Sequence, residues 1–264
     1  MPDHRGAELT DTHCHLNHPR LLRRLVDVLA RAREAGVSDM IVVGYDLPSS
    51  RAAVELAGQH DGLWATVGIH PHDAGAVNGS ALAEIRSLAR SPKVVAIGET
   101  GLDFYRDLSP REAQVDSFRR HLDLAAALSL PAIIHCRDAQ DEVLAMIASH
   151  PQPNLVWHCF DGTIEQAERA VSLGMALGFG GTVTRRGAEG LRQAAQWAPA
   201  DRILLETDAP YLAPEPYRSR DNEPANVVLV AEAVAAARGE SAASIAALTS
   251  GNARRMFGLG DGVR

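Results

Sequence analysis

The chain has 264 residues, 46% of them hydrophobic, with 26 basic against 33 acidic side chains and a net charge of -7. That balance excludes a broad basic face for gripping duplex phosphates, so any contact with nucleic acid has to be local. The first residues do not resemble a secretion signal and no apolar run could span a bilayer, which predicts a cytoplasmic protein with no membrane partner. Three cysteines, Cys14, Cys136 and Cys159, argue against a disulfide framework.

In chain order, GAELTD (6–11) reads as the first strand. PRLLRRLVDVLARAREAG (19–36) then reads as a helix, with Leu22, Leu25, Val26 and Leu29 on its apolar side and Gly36 as its stop. Strands DMIVVG (39–44), LWATVGI (63–69) and KVVAIGE (93–99) follow. SPREAQVDSFRRHLDLAAALSL (109–130) predicts a helix capped by Ser109, with Pro110 in the first turn and Glu112 completing a capping box. PAIIHC (131–136), NLVWHC (154–159), MALGFG (175–180) and RILLET (202–207) bring the strands to eight, and helices over about 224–238 and 241–257 end the chain. Strands apolar nearly throughout, each followed by a helix, predict a TIM (β/α)8 barrel as a single domain over 1–264, with an open doubly wound sheet as the competing arrangement. The Pro-rich segment 209–224 falls after the eighth strand and so becomes an active-face loop.

Alternate residues of a strand share a face, so His13 and His15 point into the barrel mouth while Cys14 points to the helix layer. Cys136 after His135 and Cys159 after His158 repeat the pairing and predict buried, unreactive thiols. His13, His15, Glu99, His135, His158 and Asp208 all fall near the C-terminal ends of strands, where barrel enzymes place their chemistry. Six mixed N and O donors are too many for one tetrahedral ion, and they suit Zn, Mn, Fe, Ni and, more weakly, Mg. Two divalent ions need a bridging anion. Lys93 is the only lysine and sits at the wrong end of its strand, so Glu99 is the available bridge. The expected division is His13, His15, Asp208 and Glu99 on one ion, with His135, His158 and Glu99 on the other.

DTHCHL, VGIHPHD, IGETGLDFY, IIHCRDA, HCFDG, ETDAPYLAP and NEP resemble, in order, the motifs of the TatD family of metal-dependent hydrolases, a branch of the amidohydrolase-like barrels, and NARRMF resembles its final helix. The resemblance implies a divalent-metal deoxyribonuclease, often a 3′ to 5′ exonuclease on single strands. It implies the same six metal ligands. One departure is Asp221 before Asn222-Glu223-Pro224, where the family commonly has a basic residue; Arg218 and Arg220 are the candidates to replace it.

For phosphodiester hydrolysis, a cation pair would acidify a shared water, and Asp208 would orient that water and take its proton. His70 is the second catalytic candidate, holding the phosphate or steadying the leaving group. Arg137, Tyr105, Arg106 and Glu206 are the candidate substrate contacts, Glu206 alternatively supporting the ligands from behind or binding an additional ion. Arg106, Arg137, Arg185, Arg186, Arg218 and Arg220 would form a collar for a negatively charged strand, and Phe104, Tyr105, Phe160 and Tyr211 could stack on unpaired bases. The glycines of GFGG (178–181) either admit a phosphate or make a tight turn. The same centre could attack a carbonyl, so an amide, lactone or D-aminoacyl-tRNA hydrolase is the competing activity, and a metal-binding scaffold without catalysis is a third reading. No obligate protein partner is expected.

Overall fold

The computed structural model describes residues 8–152 and 154–260. Eight parallel strands form one sheet in sequential order: β1 (Leu9–Cys14), β2 (Val37–Val43), β3 (Leu63–Val67), β4 (Val94–Asp103), β5 (Ala132–Arg137), β6 (Leu155–Trp157), β7 (Met175–Phe179) and β8 (Ile203–Leu205). Helices lie between successive strands, among them Leu47–Gln59, Arg111–Leu128 and Glu189–Trp197, and Val227–Arg238 and Ala242–Phe257 follow β8. The seam between the first and last strands is made just beyond β8. Asp208 N donates to His13 O at 2.8 Å and His15 N donates to Ala209 O at 2.7 Å. Below them, Thr12 Oγ1 donates to Leu205 O, and the Asp11 carboxylate accepts from Thr207 N and Thr207 Oγ1. Sequential order and this seam make a (β/α)8 barrel and exclude the open doubly wound sheet.

The barrel interior explains why the sequence places polar groups at one level. Ile41, Val95, Ile133, Val156, Ala176 and Leu204 form a buried apolar cluster with Phe257 and Leu259 of the C-terminal segment. Side chains alternate between faces along a strand. His135 and His158 therefore stand two residues above inward-facing Ile133 and Val156, while Glu206 and then Asp208 stand above Leu204. Outward residues such as Val42, Ile134 and Leu205 pack against the helices in the main core. Burying each such aliphatic side chain is worth roughly 1.5 to 3 kcal/mol, which fixes the register and with it the level of the polar layer.

Several predicted boundaries move. β1 runs to Cys14, so His13 lies inside it; the predicted start at 6 and 7 falls outside the described residues. β4 extends four residues past Glu99, its last part paired with β5 from Thr100 opposite Ile134 to Asp103 opposite Arg137. Gly101 allows that extension, since it has φ +142 and a Cβ there would stand 2.0 Å from the His135 carbonyl oxygen. The predicted helix over 19–36 is broken into Pro19–Leu22 and Leu25–Glu34, and its buried face is Leu21, Val28, Leu29 and Ala32, leaving Val26 76% exposed. Ser109 does not cap its helix: its hydroxyl donates to His72 O and accepts from Gly75 N, leaving Pro110 at the helix start.

Candidate metal centre

A cavity of about 670 Å³ opens at the C-terminal end of the barrel, and His15, His70, Glu99, His135, His158 and Asp208 line it. His13 is fully buried beneath them, its ring stacked on His158 with centroids 3.8 Å apart. The six predicted ligands thus come together around Glu99. Its Oε1 faces His135 Nδ1 at 2.9 Å and His158 Nε2 at 3.1 Å, whereas Oε2 faces His13 Nε2 at 3.6 Å and His15 Nε2 at 4.0 Å. Asp208 Oδ1 completes the second group, 3.2 Å from His15 Nε2 and 3.7 Å from His13 Nε2.

These donors fit a divalent cation. Both ring nitrogens of His13 are buried without a hydrogen-bond partner among the described residues, an arrangement that is costly unless something else engages them. Two donors each about 2.1 Å from one ion at a tetrahedral angle stand about 3.4 Å apart, close to the gaps from His13 Nε2 to Glu99 and Asp208.

Buried carboxylates fix which nitrogen of each ring is free. Asp103 Oδ2 lies 3.1 Å from His135 Nε2, which places the proton on Nε2 and leaves the Nδ1 lone pair for a cation on the Glu99 side. Glu206 Oε1 lies 3.2 Å from His158 Nδ1 and accepts from Cys159 N at 2.6 Å, freeing His158 Nε2. Burial opposes charge on Glu99, but His158, His70, His13 and His135 outweigh it and hold the carboxyl well below its usual range. Burial also opposes charge on His158, where Glu99 and Glu206 prevail and raise it well above the ordinary imidazole value. Asp208 is likewise lowered against burial by its hydrogen bond with His15.

His70 is close enough to be mistaken for a ligand, with Nε2 3.5 Å from Glu99 Oε1. Its Nδ1 accepts a hydrogen bond from His72 N, so the neutral ring carries its proton on Nε2 and presents a donor to the cavity rather than a lone pair. Burial, then the His135 ring, holds His70 well below its ordinary value, so it stays neutral.

Other expectations divide. Arg106, Arg137 and Arg185 line the cavity, whereas Arg186, Arg218 and Arg220 lie exposed away from it. The Arg137 guanidinium stands 4.4 Å over the ring of Tyr105, which is 60% exposed beside the mouth, rather than pairing with Asp138 or Asp103. Asp221, in place of a basic residue, accepts from Arg20, and Glu223 pairs with Arg24 and Arg31, so the Pro-rich loop is tied down to the first helices. Glu206 is fully buried behind His158 and lines no part of the cavity, which corrects its placement as a substrate contact. Phe160 packs between Trp157 and Phe179 in the core, and Phe104 lies under Arg111, leaving Tyr105 and Tyr211 as the exposed aromatics of that set. The GFGG glycines serve packing: a Cβ on Gly178 would meet Glu206 Oε2 at 2.4 Å, and one on Gly181 would meet Leu212 O at 2.2 Å. Cys14 is buried against Ile41 O as expected. Cys136 is likewise buried in the main core while touching the cavity wall, whereas Cys159 is only half-buried there, since it has φ 48 and lies past the strand, where alternation no longer applies. Burial pushes both thiols up, which keeps them protonated.

His72, Asp103, Tyr45 and Asp161 also line the cavity and were not among the predicted site residues. The spacing of Asp103, four residues beyond Glu99 in an extended run, was the signal that could have found it.

The family model described as TatD related DNase matches residues 10–258. The chain is 41% identical over 262 residues to the 3'-5' ssDNA/RNA exonuclease TatD of Klebsiella pneumoniae (strain 342), covering 96% of this chain and 97% of that protein. It is 39% identical over 251 residues to the uncharacterized metal-dependent hydrolase YabD of Bacillus subtilis (strain 168), covering 94% and 98%. The crystal structure of YjjV, a TatD homolog from Escherichia coli K12, matches the fold with a TM-score of 0.90 at 32% identity, covering 95% of this chain and 98% of that one. With the motifs, the barrel and the full-length matches in agreement, the chain belongs to the TatD family of metal-dependent hydrolases.

Proposed function

We propose that the chain is a divalent-metal-dependent phosphodiesterase that shortens single-stranded DNA from its 3′ end. The observation that carries this reading is the division of donors between the two oxygens of Glu99, which suits one carboxylate bridging two cations. Relatives named as 3'-5' ssDNA/RNA exonucleases support the polarity and the substrate. His13 Nε2, His15 Nε2, Asp208 and Glu99 Oε2 would hold one ion, and His135 Nδ1, His158 Nε2 and Glu99 Oε1 the other. Mg, Mn or Zn, when bound there, supply acidification of a water and neutralisation of charge on the phosphoryl oxygens.

The protein's own groups do the rest. Asp208 orients the attacking water and accepts its proton. The Nε2 proton of His70 is donated to a phosphoryl oxygen, a fixed donor that needs no rearrangement as charge gathers there. Arg106, Arg137 and Arg185 draw the strand to the cavity, a local positive patch on an acidic protein. Exposed Tyr105 and Tyr211 offer faces to unpaired bases, which favours single strands.

The test is digestion of a 5′-labelled single-stranded oligonucleotide by chelator-stripped protein restored separately with Mg, Mn and Zn, beside an ester, a lactone and a D-aminoacyl-tRNA. A ladder that shrinks from the 3′ end and disappears in Glu99→Ala is the expected result. Turnover of the carbonyl substrates alone would overturn the reading.

A further inference from the structure

Cleavage of a phosphodiester releases a sugar oxygen that needs a proton, and neither group assigned above can supply one to it. Asp208 takes the proton of the water, and the Nε2–H of His70, whose Nδ1 accepts from His72 N, is committed to a phosphoryl oxygen. A third group faces the same cavity. His72 Nε2 lies 3.0 Å from Asp103 Oδ2, the oxygen that also receives His135 Nε2 at 3.1 Å. Both rings therefore direct an N–H at one carboxylate oxygen, and Asp103 Oδ1 accepts from Arg106 N at 2.8 Å. Asp103 thus meets three N–H groups, two on Oδ2 and one on Oδ1, the surroundings of a carboxylate that acts only as acceptor.

The other nitrogen of His72, Nδ1, has no protein partner among the described residues, and the side chain is 30% exposed on the cavity wall. His135 differs, because its second nitrogen is committed to Glu99. The arrangement is held from behind by a closed set of hydrogen bonds. Ser109 Oγ donates to His72 O at 2.7 Å, Gln114 Nε2 donates to Ser109 O at 2.9 Å, and Gln114 Oε1 accepts from Asp103 N at 2.9 Å. Gln114 is fully buried, so these bonds hold His72 and Asp103 in one orientation.

We propose that His72, oriented by Asp103, is the catalytic proton donor to the leaving sugar oxygen. This rests on the phosphodiesterase reading. As the bond from the water oxygen to phosphorus forms and the bond from phosphorus to the sugar oxygen breaks, the water proton passes to Asp208. The Nδ1 proton of the His72 imidazolium passes to the departing oxygen, which leaves as a hydroxyl. The ring ends neutral, still donating Nε2–H to Asp103, whose negative charge balanced the imidazolium beforehand.

The test compares His72→Gln with the unaltered protein on a single-stranded oligonucleotide and on thymidine 5′-(p-nitrophenyl phosphate), whose aryl oxide departs without a proton. Bound Mn is measured in both proteins by equilibrium dialysis. The expected result is a loss of about 100-fold or more on the oligonucleotide, a change of only a few-fold on the aryl ester, and the same Mn content. Equal losses on both substrates would make His72 a positioning residue and overturn the proposal, as would full activity on the oligonucleotide. If the unaltered protein cleaves neither substrate, the phosphodiesterase reading fails first and takes the proposal with it.

Discussion

Glu99 and Asp103, four residues apart on β4, grip opposite nitrogens of the same His135 ring, at 2.9 and 3.1 Å. The first faces the ring nitrogen that would bind a cation, and the second decides which nitrogen that is. Asp103→Asn keeps the shape but removes the charge and one acceptor. It is expected to weaken binding of the cation on the His135 side by about 10- to 100-fold. A calorimetric Mn titration would show the weaker of two sites shifting, and an unaltered isotherm would contradict the orienting role.

Gly178→Ala is expected to destabilise the fold by about 1 to 3 kcal/mol, because its Cβ would press on the fully buried Glu206 carboxylate at 2.4 Å. Gly180→Ala is the control, since Glu206 atoms there stand 3.7 Å or further away. Urea unfolding midpoints separate the two; equal midpoints would show that Glu206 can move aside.

Arg185 is half-buried in the cavity wall, and its Nε has no partner among the described residues. A guanidinium in that state is available to a phosphate. Arg185→Ala is expected to raise KM for a single-stranded oligonucleotide about tenfold, with kcat little changed. A matched fall in kcat with constant KM would place it at the reacting phosphate instead.

His121, fully buried in the helix Arg111–Leu128, gives the protein an acid limit away from the cavity. Burial lowers its imidazole from 6.5 to about 4, against a hydrogen bond donated to Ser117 O. The unfolded chain binds the extra proton between those values. The stability contribution is therefore complete above pH 6.5 and falls away as pH drops toward 4, by up to roughly 3 kcal/mol. In His121→Leu the difference between urea midpoints at pH 7 and pH 4.5 is expected to shrink. An unchanged difference would assign the acid sensitivity to other groups.

The barrel and the layer of candidate donors were legible because both follow from alternation. In three strands the inward aliphatic side chain is followed two residues later by a polar one: Ile133 and His135, Val156 and His158, Leu204 and Glu206. What was hidden depends on contacts between distant segments. Asp103 joins the site only because β4 continues past Glu99 and the loop after β3 folds across it, bringing His72 to 3.0 Å. Arg218 and Arg220 lie outside the cavity on a loop whose C-terminal end is anchored by Arg20 and Arg31 through Asp221 and Glu223. Glu206 shares the parity of Asp208 but lies deeper, and depth is not written in a period of two. The aromatics were ambiguous for a similar reason, since Phe160 and Tyr105 both follow strand ends and only packing turns one inward.

The backbone bonds that join the two ends of the sheet lie at the level of the candidate donors: His13 and His15 on one side, Asp208 and Ala209 on the other. A chain emerging from the ribosome therefore carries only an incomplete ring of donors until its last quarter has been synthesised. Any fragment that begins after His15 or ends before Asp208 would lack part of the donor set, and a nascent polypeptide would hold the complete set only once its synthesis was nearly finished.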